Sequence, residues 1–107
     1  MMTLKDVKAM LDTTGMQVAY DHFEPADDAP KMPFITYSQP ASNNFEADGK
    51  VYAEIRHLYV TLWVQKADSK EEETLKGVLE AADIPWSRNE TYHSTERCYE
   101  ITYEVEV

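Results

Sequence analysis

The sequence predicts an α+β domain: a two-layer sandwich, with a mainly antiparallel sheet of about four to five strands and two helices on one face. Three observations predict it. Residues 51–65, VYAEIRHLYVTLWVQ, hold neither Gly nor Pro and are rich in Val, Ile, Tyr, Trp and Thr, the types that suit a pleated, half-buried surface. Residues 97–107, RCYEITYEVEV, alternate strictly: Tyr99, Ile101, Tyr103, Val105 and Val107 on one side, Glu100, Thr102, Glu104 and Glu106 on the other. Two further stretches, after Thr3 and after Ser69, repeat apolar residues with the helical period behind an N-capping residue.

The chain has 107 residues, a length that makes 1–107 a single domain with one core. A hydrophobic content of 43% argues against disorder. Twenty acidic residues against ten basic ones give a formal net charge of -10, which repels a phosphate backbone and counts against specific duplex binding. A single cysteine, Cys98, permits no internal disulfide and no Cys-based metal site, a usage that fits a reducing cytosol. No apolar run approaches the roughly 20 residues that span a bilayer, and the start of the chain is amphipathic, not an apolar signal core. A soluble intracellular protein is the expectation.

In order, Thr3-x-x-Asp6 approximates a capping box, and Leu4, Val7, Met10 and Leu11 share one helical face up to Gly15. Residues 16–20 read as a short strand around Val18. Residues 21–33 carry Pro25, Pro30 and Pro33 and read as a surface loop. A second strand, 34–38, stops at Pro40. Residues 41–50, ASNNFEADGK, read as a long exposed hairpin loop leading into the long strand. In that strand Val51, Ala53 and Ile55 are apolar at odd positions, but Leu58, Val60, Leu62 and Val64 at even ones. A period-2 pattern changes phase only through an extra residue or a sharp twist, so a bulge is expected near Arg56 and His57. Ser69-x-x-Glu72 reads as a full capping box, followed by the stripe Leu75, Val78, Leu79 and Ala82. Ile84-Pro85 ends that helix, Trp86 begins a short extended segment, and 88–96 read as a turn before the last strand.

Candidate chemistry is sparse. His22, His57 and His93 show no metal-ligand spacing with one another or with Cys98. Cys98 has no local oxyanion site, and three glycines (Gly15, Gly49 and Gly77) leave no phosphate loop. Neither a catalytic residue, a cofactor-binding residue nor a metal ligand is expected, and the chain is not expected to be an enzyme. Glu100, Glu104 and Glu106 form an acidic strand face that reads as solvated, as the lining of an acidic channel, or as a surface for a basic partner. Asn43, Asn44, Phe45, Asp48 and Lys50 are the candidate partner-binding residues, with Phe45 either an aromatic anchor or folded back on the sheet edge.

The chain resembles the small tail-completion proteins of long-tailed bacteriophages and prophages of Gram-positive hosts, the tail terminators and head-to-tail joining proteins. The resemblance is carried by TLKDVKAMLDTTGMQVAYDHFE, PFITYSQPASNNFEADGKVY, TLWVQKAD and YEITYEVEV, and its most specific run lies within 33–52. It implies an antiparallel sheet with helices on one side. It also implies a structural virion protein, usually a hexameric ring at the head-proximal end of the tail tube, that terminates tail growth and joins tail to head. Its partners would be further copies of itself, the tail tube protein and a head-side connector, with DNA only as passing cargo and no membrane. The protein would occupy the host cytoplasm during assembly and then the virion tail. An alternative class is an acidic cytosolic interaction protein, an adaptor or a DNA-mimic inhibitor, whose carboxylates imitate a row of phosphates and bind a basic enzyme as a monomer.

Overall fold

A computed structural model describes residues 2–23, 31–47 and 50–107, with the backbone alone over 40–47 and 50–56. The elements are α1 (Leu4–Asp12), β1 (Gln17–Tyr20), β2 (Phe34–Ala47), β3 (Lys50–Val64), α2 (Lys70–Ala81), β4 (Trp86–His93) and β5 (Cys98–Glu106). The five strands form one sheet in the order β1-β2-β3-β5-β4. Every pairing is antiparallel except β1 with β2, which is parallel.

The α1 helix starts as its sequence requires. The Thr3 side chain accepts from the Asp6 amide, and the Asp6 carboxylate accepts from the Thr3 amide, so the shorter acid closes the capping box. Val7 and Leu11 are buried, with Leu4 and Met10 packed at the margin of the core. At the far end of α2 the amide of Asp83 bonds to Glu80 O and that of Ile84 to Leu79 O, the two bonds of a Schellman motif. Asp83 occupies its left-handed position at φ 56°, where glycine is the usual choice. Ile84 then turns inward and joins Leu79 in the core.

The core lies between the helices and one face of the sheet. The even positions of β3, Leu58, Val60, Leu62 and Val64, meet Ile35 and Tyr37 of β2, Ile101, Tyr103 and Val105 of β5, and Val7, Leu11, Leu75 and Leu79 of the helices. Among the described residues no helix covers the opposite face. The expected α+β architecture is therefore observed, with both helices on one side.

Four local expectations need correction. Pro40 does not end β2, and 41–47 is not loop: the β2–β3 ladder continues to Ala47↔Lys50, leaving only positions 48 and 49, outside the described residues, between the two strands. The ladder is irregular near His57 as expected, but the extra residue sits in the opposite strand. Between Ser38↔Tyr59 and Ala41↔His57, β2 advances three residues while β3 advances two, so the bulge takes up Gln39 and Pro40. Residues 88–93 belong to β4, with the turn confined to 94–97. Finally, on α2 the buried positions are Glu72, Leu75 and Leu79; Val78 is half-buried and Ala82 exposed, so the stripe begins one turn earlier than its apolar residues suggest.

Beyond His57, among the described residues, β3 pairs with β2 alone, because the β3–β5 ladder runs from His57↔Glu106 to Val64↔Tyr99. The outer halves of β2 and β3 thus form a two-stranded ribbon that extends past the third strand.

Two substitutions test this account by urea unfolding. Leu62→Ala, at a fully buried position of the central strand, should cost about 2–5 kcal/mol. Asp83→Gly should leave the fold intact and gain about 0.5–1 kcal/mol, because it relieves a left-handed non-glycine residue.

Candidate functional site

The ribbon holds four of the five residues singled out for partner binding. Asn43, Asn44 and Phe45 lie in β2, opposite Ile55, Glu54 and Ala53, and Lys50 opens β3 opposite Ala47. Their backbones are therefore held in a ladder, not displayed on a loop. Asp48 lies outside the described residues. A second irregularity, between Phe45↔Ala53 and Glu46↔Val51, places an extra residue in β3 near the end of the ribbon. Such bulges bend a ribbon and increase its twist.

The helix-free face of the sheet carries the other candidates. Glu100 is partnered by His93, Nε2 to Oε1 at 2.7 Å. His93 stacks on Trp63 (ring centroids 5.9 Å apart), and Trp63 stacks on Phe34 at 6.1 Å. The indole N–H donates to Thr36 Oγ1, and Thr61 and Thr102 share a hydrogen bond at the centre of the face. At the other end His57 lies 3.9 Å from a Glu104 oxygen and 3.8 Å from a Glu106 oxygen, beyond hydrogen-bond length, and its buried Nδ1 has no hydrogen-bond partner. The acidic face of β5 thus sets its carboxylates beside histidines. Glu104 and Glu106 are exposed, whereas Glu100 is half-buried.

Cys98 is also on this face, buried beside Glu96, Lys31, Met32, Phe34 and Trp63. Burial pushes its thiol above the ordinary value, and the nearby Glu96 and Glu100 carboxylates push it further. The thiol is therefore protonated at neutral pH and lacks the thiolate that a nucleophile needs. Among the described residues no three His, Cys, Asp or Glu side chains are grouped so as to hold a metal ion.

The most organised polar group on the other side of the sheet is one the sequence did not reveal. Glu72 is only 1% exposed. Ser69 caps α2 by accepting from the Glu72 amide, but the Glu72 side chain does not close the box onto Ser69. One carboxylate oxygen accepts from the Asp68 amide at 2.9 Å, one residue earlier, where Asp68 is held at φ 53°. The other oxygen accepts from Arg88 Nε and from Tyr103 Oη, the latter at 3.0 Å. Arg88 reaches on to Glu90 at 2.6 Å, and Lys76 lies 3.9 Å from Glu72. Trp86 packs edge-on against the Tyr103 ring and lies under the Lys76 ammonium. The cluster joins the first turn of α2 to β4 and β5.

Its electrostatics follow from that geometry. Burial raises the Glu72 carboxyl, but the hydrogen bonds from Arg88 and Tyr103 outweigh it, and the net result is a value below the ordinary carboxylate range. The bond to Glu72 raises Arg88, and burial together with the Glu72 charge raises Tyr103. The three groups hold one arrangement of charge: a buried anion, a half-buried cation and a neutral phenol. The cluster ties the first turn of α2 to β4 and β5 through a buried, hydrogen-bonded ion pair.

No protein-family model matches this chain, and no curated protein matches it.

The cluster and the thiol each yield an expected outcome. Arg88→Met leaves a buried anion without its cation and should cost about 2–4 kcal/mol at pH 7 in urea unfolding, with a smaller cost at low pH, where Glu72 can protonate. Because the folded carboxyl of Glu72 is depressed, its stabilisation is present above its ordinary value of 4.5 and is lost as pH falls through the folded value. Glu72→Gln should lose this contribution to the acid slope; an unchanged slope would show that other carboxylates carry it. Cys98 should resist a thiol reagent in the native protein and react freely in urea; rapid native labelling would contradict the buried, protonated thiol.

Proposed function

We propose that this chain is a structural virion protein of a tailed phage or prophage, forming a ring at the head-proximal end of the tail tube that terminates tail growth and joins tail to head. The observation that carries this reading is the run SNNFEADGKVY, the most specific part of the sequence resemblance, together with the place of its described residues, 42–47 and 50–52, in the outer part of the β2–β3 ribbon. A paired ribbon reaching past the body of the sheet is a suitable element for a subunit that must contact both its neighbours and the tube. The small α+β domain, its acidic charge and the arrangement of its polar groups for stability are compatible with that role.

In this reading the partners are further copies of the chain, near six in a closed ring, with the tail tube protein on one side and a head-side connector on the other. The negative charge lets DNA pass without adhering to the lining. Assembly takes place in the host cytoplasm and the product resides in the virion tail. Among the described residues no helix is long and apolar enough to cross a membrane.

Light scattering across a wide concentration range, with electron micrographs of the same samples and of tail tubes incubated with the protein, tests the reading. A closed species near six copies with an open centre, seated on tube ends, is expected. Tubes that keep growing in its presence and tails that join heads without it would overturn the proposal. Phe45→Ala is expected to fold normally and to weaken tail joining; unchanged joining would remove Phe45 from the contact.

A further inference from the structure

We infer that copies of this chain associate head to tail through the two edges of the sheet, the outer side of β1 in one copy pairing antiparallel with the outer side of β4 in the next. The inference rests on the ring reading for the relation between copies, and on four features of the sheet for the surface.

The first is direction. β1 is parallel to β2, β2 antiparallel to β3, β3 antiparallel to β5, and β5 antiparallel to β4. Hence β1, β2 and β5 run one way and β3 and β4 the other. A rotation about an axis lying along the strands preserves those directions. It therefore sets β1 of one copy against an oppositely directed β4 of the next, the antiparallel ladder that is slightly the more stable per residue. A head-to-tail contact uses two different surfaces and closes into a ring when the rotation closes.

The second is that both edges are open: among the described residues neither β1 nor β4 has a partner strand on its outer side. Soluble proteins usually guard a long edge with lysine, proline or a bulge. β4 has eight residues, no Lys and no Pro, and its register with β5 is unbroken from Trp86↔Val105 to His93↔Cys98. The third is charge. The chain carries a net -10, yet Gln17–Tyr20 holds no charged residue, and in β4 Arg88 and Glu90 pair with each other. Two strongly acidic molecules can approach along these edges without opposed like charges. The fourth is exposed aromatic area. The large hydrophobic side chains that stand exposed among the described residues are Tyr20 (46%) and Tyr92 (52%), one on each edge strand. Each is braced by a neighbouring tyrosine, Tyr37 at 5.2 Å and Tyr99 at 4.9 Å.

Sedimentation velocity over a range of concentrations, on the wild type, Tyr20→Lys, Tyr92→Lys and an equal mixture of the two variants, tests the inference. Circular dichroism serves as the control for folding. If either tyrosine variant loses its fold, Gln17→Lys or Thr91→Lys, at exposed positions of the same strands, replaces it. The wild type is expected to form a closed oligomer, and each variant alone to need about tenfold more protein, or beyond, to associate. The mixture should give a discrete dimer, because one variant keeps its β4 edge and the other its β1 edge. Undiminished assembly of either variant overturns the inference, and so does a wild type that stays monomeric at every concentration. A monomeric Tyr92→Lys beside a Tyr20→Lys that stops at a dimer also overturns it, since that pattern marks β4 pairing with itself about a two-fold axis. Tube capping separates the two ideas. Capping by the wild type and both variants alike leaves the tail-end reading standing without the edges. Edge-dependent assembly by a protein that caps no tube leaves the edges standing without the tail.

Discussion

The constraint on which this fold depends is the apolar face of β3. Leu58, Val60, Leu62 and Val64 are all buried, and they lie on the strand that β2 and β5 flank. Those four side chains fix which face of the sheet the helices cover. They also fix the register of both neighbours, because a slip of one residue would turn all of them toward water. Burying one such side chain contributes about 1.5–3 kcal/mol, so four in a row outweigh any single polar contact in the molecule. The bulge at Gln39 and Pro40 follows from the same constraint. β2 must keep Ile35 and Tyr37 in the core and still pair with β3 beyond His57, and it accommodates an extra residue to do so.

The Glu72 cluster is subordinate to that core but ties its outer parts together. A helix whose first turn faces the sheet needs a buried side chain at that position, and here the side chain is a carboxylate. It is stabilised by a cation from the edge strand β4 and a phenol from β5. Replacing such a group by an apolar one of similar volume is often neutral, whereas removing one partner is costly. The cluster therefore gives β4 a specific anchorage. Among the described residues β4 pairs on one side only and is exposed along nearly all of its length, so Arg88, Trp86 and His93, which stacks on Trp63, attach it to the body beyond the β5 ladder. An edge strand held this firmly keeps its outer backbone groups in a fixed row.

What could be read from residue order alone was what is local. The cap at Thr3, the cap at Ser69 and the alternation of β5 each depend on residues a few positions apart, and each appears in the structure. Readings that required knowing a distant partner went astray. Ser69-x-x-Glu72 gave the right cap but the wrong role for Glu72, because Arg88 and Tyr103 stand 16 and 31 residues further on and no spacing rule connects them. ASNNFEADGK reads as loop by propensity, yet pairing with β3 overrides it; the Asp-Gly dipeptide between two long extended runs was the available sign of a short hairpin connection. Arg88 to His93 is polar and reads as a turn, as an exposed edge strand often does. Of the candidate site, the acidic character of β5 was legible, but its hydrogen bond to His93 and its place beside His57 were not, since those histidines arrive from β4 and β3.

The ribbon formed by the outer halves of β2 and β3 has a consequence for how this protein can vary. Among the described residues β3 pairs with no third strand beyond His57, so the β3–β5 ladder does not fix how many residues lie beyond it. Removing or adding one residue on each strand, as a matched pair, changes the reach of the ribbon by about 3.3 Å while leaving the four-residue apolar face of β3 and the Glu72 anchorage untouched. An unmatched change would instead create or cancel a bulge and swing the tip to one side. The molecule thus has an adjustable arm on a fixed body: its length can drift to suit a new contact surface in small, even steps, without renegotiating the fold that carries it.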